Sequence, residues 1–153
     1  MICLDIKSKE ARSKNMASIR SKNTKPEMYL RSILFRKKYR YRVNYKAIEG
    51  HPDIYFTRQK IAIFIHGCYW HRHEGCKYAY TPKSNSNFWL TKFDTNKRRD
   101  CVVYETLEKN GVRVLIVWEC TIKKMKSNSE FYNRIITQID DFIINRSTQF
   151  LEI

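Results

Sequence analysis

Apolar positions recur along the chain in two rhythms, and the switches between them outline the elements. Leu30, Ile33 and Leu34 fall at helical spacing behind Thr24-Lys25-Pro26-Glu27, where Thr24 can cap and Glu27 follows three residues later in capping-box register. Tyr41, Val43 and Tyr45 then alternate with Arg40, Arg42 and Asn44, the pattern of a half-exposed strand. After a turn at Glu49-Gly50, Pro52-Asp53-Ile54-Tyr55-Phe56 reads as a second strand. Gln59-Lys60 turns the chain into Ile61-Ala62-Ile63-Phe64-Ile65, a continuous apolar run that predicts a buried strand. From residue 88 to about 109 the period is helical again, with Trp89, Phe93, Val103 and Leu107 on one face and Asp100 among them. Residues 112–118 read as another buried strand, ending in Glu119-Cys120, and Phe131, Ile135, Ile139, Phe142 and Ile143 mark a last helix.

Helix, three strands, helix, strand, helix predicts an α/β fold with a central mixed sheet flanked by helices. Neither repeat nor linker interrupts it, so residues 1–153 are expected to form one domain: a basic arm over 1–23, with a short helix around 13–19, and a core over 24–153. At 42% hydrophobic residues the chain can bury a core, and disorder of its body is excluded. No apolar run reaches the ~18 residues of a membrane span. The start, MICLDIKSKEARSKN, lacks the apolar stretch of a signal peptide, so a cytoplasmic location is expected.

Charge changes the picture. Thirty Lys and Arg against fifteen Asp and Glu give +15, with seven basic side chains and one acid in residues 7–25 and seven and none in 31–46. Tyr41, Tyr45 and Tyr55 interleave with this basic surface, which points to nucleic acid rather than to a merely solvated face. No basic amphipathic helix with a clean apolar face favours a membrane surface.

The chemistry is concentrated in HGCYWHRHEGC, residues 66–76, which holds three of the four histidines and two of the five cysteines. An odd cysteine count, clustered beside histidines, favours a metal over disulfides. Cys68, His73 and Cys76 have the spacing and donor types that zinc accepts, and Gly75 eases the turn between them. Cys120 is the best fourth ligand, because it ends a strand that can lie beside the one ending at Ile65; an inert buried thiol is its alternative. A nucleobase-deaminase site is excluded, because Glu74 adjoins His73 directly and no Pro-Cys-x-x-Cys follows. His66 and His71 are then left free near Asp53. A carboxylate that can bind Mg²⁺ and a histidine that can take a proton from water, on a basic protein, spell phosphodiester hydrolysis.

These residues resemble the very-short-patch-repair (Vsr) family of DNA mismatch endonucleases. The resemblance runs from RSKNMASIRSKNTKPE (12–27) through HPD (51–53), IAIFIHGCYWH (61–71), FW (88–89) and NKRRD (96–100) to GVRVLIVWEC (111–120). It implies a restriction-endonuclease-like fold, catalytic Mg²⁺ and a structural zinc. It implies nicking of one strand of double-stranded DNA 5′ to the thymine of a T·G mismatch left by deaminated 5-methylcytosine, the start of very-short-patch repair. Carried over by motif position, Asp53 binds Mg²⁺ together with the Ile65 backbone carbonyl, and His71 is the general base. His66 and Asp100 join the metal–water–phosphate network, and Glu27 supports it from its helix. Cys68, His73, Cys76 and Cys120 hold the zinc. Tyr69, Trp70 and Trp89 form an aromatic wedge entering the DNA stack, with Arg12, Lys14, Met16, Arg20 and Lys22 of the arm also on DNA. Ile65 stands where some members carry Thr, and Tyr69 where Phe is commoner. The expectation is of a bacterial, nucleoid-associated monomer that acts on mismatched DNA, with mismatch-repair proteins as partners. The alternatives are a restriction-type or lesion-specific nicking nuclease and a non-catalytic zinc-stapled DNA-binding protein; Asp53, His66, His71 and Asp100 together favour the enzyme.

Overall fold

Alternate side chains of two central strands feed two separate cores, which fixes a sheet with helices on both faces. The computed structural model describes residues 8–153, apart from the side chains of Lys9 and Arg12. Its helices are α1 (Lys9–Ser18), α2 (Lys25–Arg36), α3 (Cys68–His71), α4 (Ser86–Lys109), α5 (Glu119–Ser127) and α6 (Ser129–Ile144). Its strands are β1 (Arg42–Val43), β2 (Ile54–Phe56), β3 (Ile61–His66), β4 (Arg113–Trp118) and β5 (Phe150–Glu152).

The strands lie in chain order in one five-stranded sheet. β1, β2 and β3 pair antiparallel, whereas β3, β4 and β5 pair parallel, with His66 opposite Trp118 at the carboxyl end of the central pair. Ile61 and Ile63 of β3 and Leu115 and Val117 of β4 face Leu30, Leu34, Ile122, Met125 and Ile139 of α2, α5 and α6. Ala62 and Phe64, with Val114, Ile116 and Trp118, face Val103 and Leu107 of α4. Buried on both faces, these strands carry the unbroken apolar runs seen in the sequence, each such large side chain contributing roughly 1.5–3 kcal/mol.

The expected mixed α/β sheet is present, and several details differ. The strand expected around Tyr41–Tyr45 shrinks to Arg42–Val43, because Asn44 enters the left-handed region at φ 45° and turns the chain away. The helix expected near 13–19 begins earlier, at Lys9. Thr24 caps α2 without accepting a backbone hydrogen bond; its hydroxyl instead donates to Glu27 Oε1, while Glu27 Oε2 accepts the Asn23 N–H. Helices α3 and α5 and strand β5 have no counterpart among the expected elements. At β5 the buried Arg113 donates to the carbonyls of Phe142, Asn145 and Thr148, capping the end of α6 and tethering the chain that leads into the edge strand. The first seven residues of the expected basic arm and the Arg12 side chain lie outside the described residues. Among the described residues, no helix is long and apolar enough to cross a membrane.

Candidate functional site

The carboxyl ends of parallel strands leave a crevice where their helices diverge, and here the end of β3 delivers His66 and, through α3, His71. The two imidazole rings stack 3.7 Å apart at an interplanar angle of 6°. Helix α4 crosses beside them and supplies one partner to each. Asp100 Oδ2 lies 2.5 Å from His71 Nδ1, and one turn later the Tyr104 hydroxyl hydrogen-bonds His66 Nε2. An ionised carboxylate only accepts, so His71 carries its proton on Nδ1 and keeps its Nε2 lone pair free. Burial holds His66 well below the usual histidine range, with the neighbouring His71 and Arg99 adding to it.

His66, His71 and Asp100 bring three ligand atoms within 4.8 Å of one another. They do not make a metal site as arranged. Lone pairs of stacked, nearly parallel rings point along parallel planes, so one ion cannot lie in both.

Asp53 lines the same cleft as His66 and His71, a space of about 1060 Å³. Gly50 lets the chain approach, since at φ +76° a Cβ there would come within 2.4 Å of Val103 Cγ1. Asp53 Oδ2 accepts the Ile65 N–H at 2.8 Å. The N–H and C=O of one strand residue point to the same side, so the Ile65 carbonyl faces the gap beside Asp53 beyond the end of β2. Burial raises the Asp53 carboxyl to about 6; the Ile65 N–H opposes this, the charge of Glu27 adds to it, and Arg31 and His71 oppose it. Among the described residues no cationic side chain forms an ion pair with it. An ionised oxygen ligand so placed, beside a free carbonyl and open space, suits Mg²⁺.

Glu27 stands behind this arrangement. Its buried carboxylate binds Arg31 at 3.2 Å, and Arg31 donates to Asn23 Oδ1 and to the Asp53 carbonyl at 2.9 Å. Glu27 also lines the cleft, and Arg31 links its carboxylate to the Asp53 backbone.

On the far side of α3, Cys68, His73, Cys76 and Cys120 converge with their ligand atoms within 4.8 Å of one another. His73 Nδ1 lies 3.7 Å from Cys68 Sγ and 3.2 Å from Cys120 Sγ. Tetrahedral zinc with bonds of about 2.0–2.3 Å sets its ligands roughly 3.3–3.8 Å apart, so the donor set and spacing fit. His73 is held flat against Trp118, centroids 4.2 Å apart. Burial pushes the Cys68 and Cys120 thiols up. Burial acts on Cys76 in the same direction but is outweighed by hydrogen bonds, led by the Tyr78 N–H, and its net shift is downward.

The same short helix carries Tyr69 and Trp70. Tyr69 meets Trp89 edge-on at 5.8 Å and Trp70 lies 6.1 Å from Trp89, so the three form one half-exposed aromatic cluster that Phe93 backs and the exposed Phe88 and Tyr80 extend. Arg20 and Lys22 line the cleft, together with Lys46 and Arg99. Lys14 and Met16 are exposed on α1.

Sequence reasoning missed Arg31, Arg99 and Tyr104. The spacing of Glu27 and Arg31, and of Asp100 and Tyr104, each one helical turn, is the signal that the chain offers for two of them.

Residues 4–77 match the family model described as DNA mismatch endonuclease Vsr. The chain is 42% identical over 139 residues to the type II nicking enzyme V.NmeAIP of Neisseria meningitidis serogroup A, covering 91% of this chain and 99% of that protein. It is 40% identical over 118 residues to the type II nicking enzyme V.XorIIP of Xanthomonas oryzae pv. oryzae, covering 77% and 86%. With the DNA mismatch endonuclease Vsr of Escherichia coli K12 it shares 38% identity over 119 residues, 78% of this chain and 76% of that one.

Proposed function

The chain belongs to the Vsr family of DNA mismatch endonucleases and is a DNA endonuclease, and from that premise we propose that it nicks one strand of double-stranded DNA 5′ to the thymine of a T·G mismatch. This would start very-short-patch repair of deaminated 5-methylcytosine. The observation that carries the reading is the His71–Asp100 pair, whose imidazole shares a cleft with the half-buried Asp53 carboxylate and a rim of Arg and Lys.

His71 Nε2 takes the proton of the attacking water, and Asp100 stabilises the imidazolium that forms. The Asp53 carboxylate and the Ile65 carbonyl would hold Mg²⁺. Bound there, Mg²⁺ supplies Lewis-acid polarisation of the phosphate and offsets its developing charge. Glu27 keeps Asp53 in place through Arg31. Arg20, Lys22 and Lys46 hold the DNA backbone across the cleft. Cys68, His73, Cys76 and Cys120 would hold zinc, which in a closed set of this kind is structural and stiffens the segment bearing Tyr69 and Trp70.

T·G differs little in outline from a matched pair, so base-edge contacts discriminate weakly. A poorly stacked mispair costs less to open, and apolar side chains inserted there convert that difference into specificity, against an unstacking cost of a few kcal/mol per step. Tyr69, Trp70 and Trp89 are the side chains for this task. In this reading the α/β sheet is a restriction-endonuclease-like core over residues 24–153, with residues 1–23 lying on DNA.

The test is strand-specific. Duplexes with one T·G pair, labelled on one strand at a time, are incubated with Mg²⁺ and resolved under denaturing conditions. One cut on the T-bearing strand, immediately 5′ to that thymine, is expected; cuts on both strands, or at a site set by the surrounding sequence alone, refute the proposal.

A further inference from the structure

We propose that Tyr104 is a positioning residue that fixes His66 as a hydrogen-bond donor in the cleft, so that α4 assigns opposite roles to the two stacked histidines. The inference rests on the cleft being the nuclease site.

The Tyr104 hydroxyl meets one hydrogen-bond partner among the described residues, His66 Nε2. A phenol has a single proton, and when half-buried that proton needs an acceptor. Were His66 Nε2 to donate instead, the Tyr104 proton would have no acceptor at hand. The arrangement that satisfies both groups has Tyr104 donating to Nε2, which places the His66 proton on Nδ1. Burial and the nearby Asp100 carboxylate both favour the protonated phenol. Phe64 and Phe150 pack against the Tyr104 ring and hold the hydroxyl in place.

His66 Nδ1 has no protein partner among the described residues, and it is not among the buried polar atoms sealed without one. The His66 side chain lines the cleft. Its Nδ1–H is therefore available to a phosphate oxygen. His71, gripped by Asp100 one turn earlier on α4, has the opposite polarity and presents a lone pair. The stack presents an acceptor for the water proton beside a neutral donor for the phosphate. Exchanging the α4 partners would exchange those functions.

The experiment combines a spectrum with a rate. Long-range ¹H–¹⁵N correlation spectra of the zinc-loaded wild-type protein at neutral pH read the tautomer of His66 directly; Nδ1–H with a bare Nε2 is expected, and an Nε2–H tautomer overturns the proposal. Tyr104→Phe keeps the ring and removes only the hydroxyl. It is expected to shift His66 toward the Nε2–H form and to slow single-turnover nicking roughly tenfold, the effect of one lost hydrogen bond, with DNA affinity within about twofold of wild type. Wild-type rates in Tyr104→Phe reject the positioning role, as does an equal loss of affinity and rate. The wild-type spectrum decides the tautomer even if that variant folds poorly. Failure of the wild-type protein to nick any T·G duplex refutes the proposed function instead, and the spectrum is independent of that result.

Discussion

His66 and His71 stack with their ring centroids 3.7 Å apart, although one ends a strand and the other a four-residue helix. Two imidazolium cations cannot share that spacing cheaply, so the pair works with one ring neutral. The buried His66, held well below the usual range, is that ring. His71, joined to Asp100, is left to accept the proton.

His71→Ala is expected to slow the chemical step by about 10²–10⁴-fold, the range for a lost general base, while DNA affinity stays near wild type. Asp100→Asn keeps the shape but can donate to His71 Nδ1, which moves the ring proton to Nε2 and blocks the same step. Single-turnover nicking by each variant checks this; rates near wild type for either would remove that residue from the mechanism.

Asp53 makes stability depend on pH in a defined direction. Its carboxyl titrates at about 6 in the folded protein against an ordinary value of 3.8. Between these values the folded state holds a proton that the unfolded chain has released, so stability falls as pH rises through this window and the loss is complete above about 6. The size is on the order of 3 kcal/mol. In Mg²⁺-free buffer Asp53→Asn should melt with wild type near the lower limit and above it at neutral pH, and Mg²⁺ should narrow the gap by stabilising wild type alone. A melting difference that ignores pH would contradict this.

Cys120→Ser should lower zinc content and melting temperature together, because the ligand from α5 closes the set begun by Cys68, His73 and Cys76. Because burial keeps the Cys68 and Cys120 thiols protonated without metal, zinc binding to the stripped protein should release protons. Elemental analysis and calorimetry in buffers of different ionisation enthalpy measure both effects. Full zinc occupancy in Cys120→Ser would mean that Cys120 is no ligand.

Trp70→Ala should reduce the preference for T·G over T·A, since Trp70 is half-exposed in the cluster with Tyr69 and Trp89. Arg20→Ala and Lys22→Ala should instead weaken both duplexes alike and flatten the salt dependence by about one unit of slope for each cation taken off a phosphate. Nicking ratios and binding at two or more salt concentrations separate these behaviours. An unchanged T·G preference in Trp70→Ala would make Trp70 a packing residue.

How far the sequence can be read follows from which residues carry their own signal. Strands β3 and β4 are legible because burial on both faces demands unbroken apolar runs such as Ile61-Ala62-Ile63-Phe64. Helix α5 is not: its buried residues are only Thr121, Ile122 and Met125, and Trp118 stands where a capping Ser or Asp would announce it. In β5 only Leu151 and its neighbour Ile153 turn partly inward, too little for a period. The clustering of Cys68, His73 and Cys76 is local and can be seen in one segment. Their meeting with Cys120 depends on the parallel pairing of β3 with β4. Glu27 reads as a capping acid in sequence, and its link to Asp53 emerges only when Arg31 spans the two. Tyr104 offers only its one-turn spacing from Asp100, and its partner His66 emerges when α4 lies against the end of β3.

The most direct test of the central claim is the ratio of single-turnover nicking rates on two duplexes that differ by one base, T·G against T·A, measured with Mg²⁺ and again without it. Nicking of the T·G duplex that requires Mg²⁺ and exceeds that of T·A by roughly tenfold or more, the discrimination carried by about 1.4 kcal/mol, is the predicted result. Equal nicking of the two duplexes, or none of the T·G duplex with Mg²⁺ present, would contradict it.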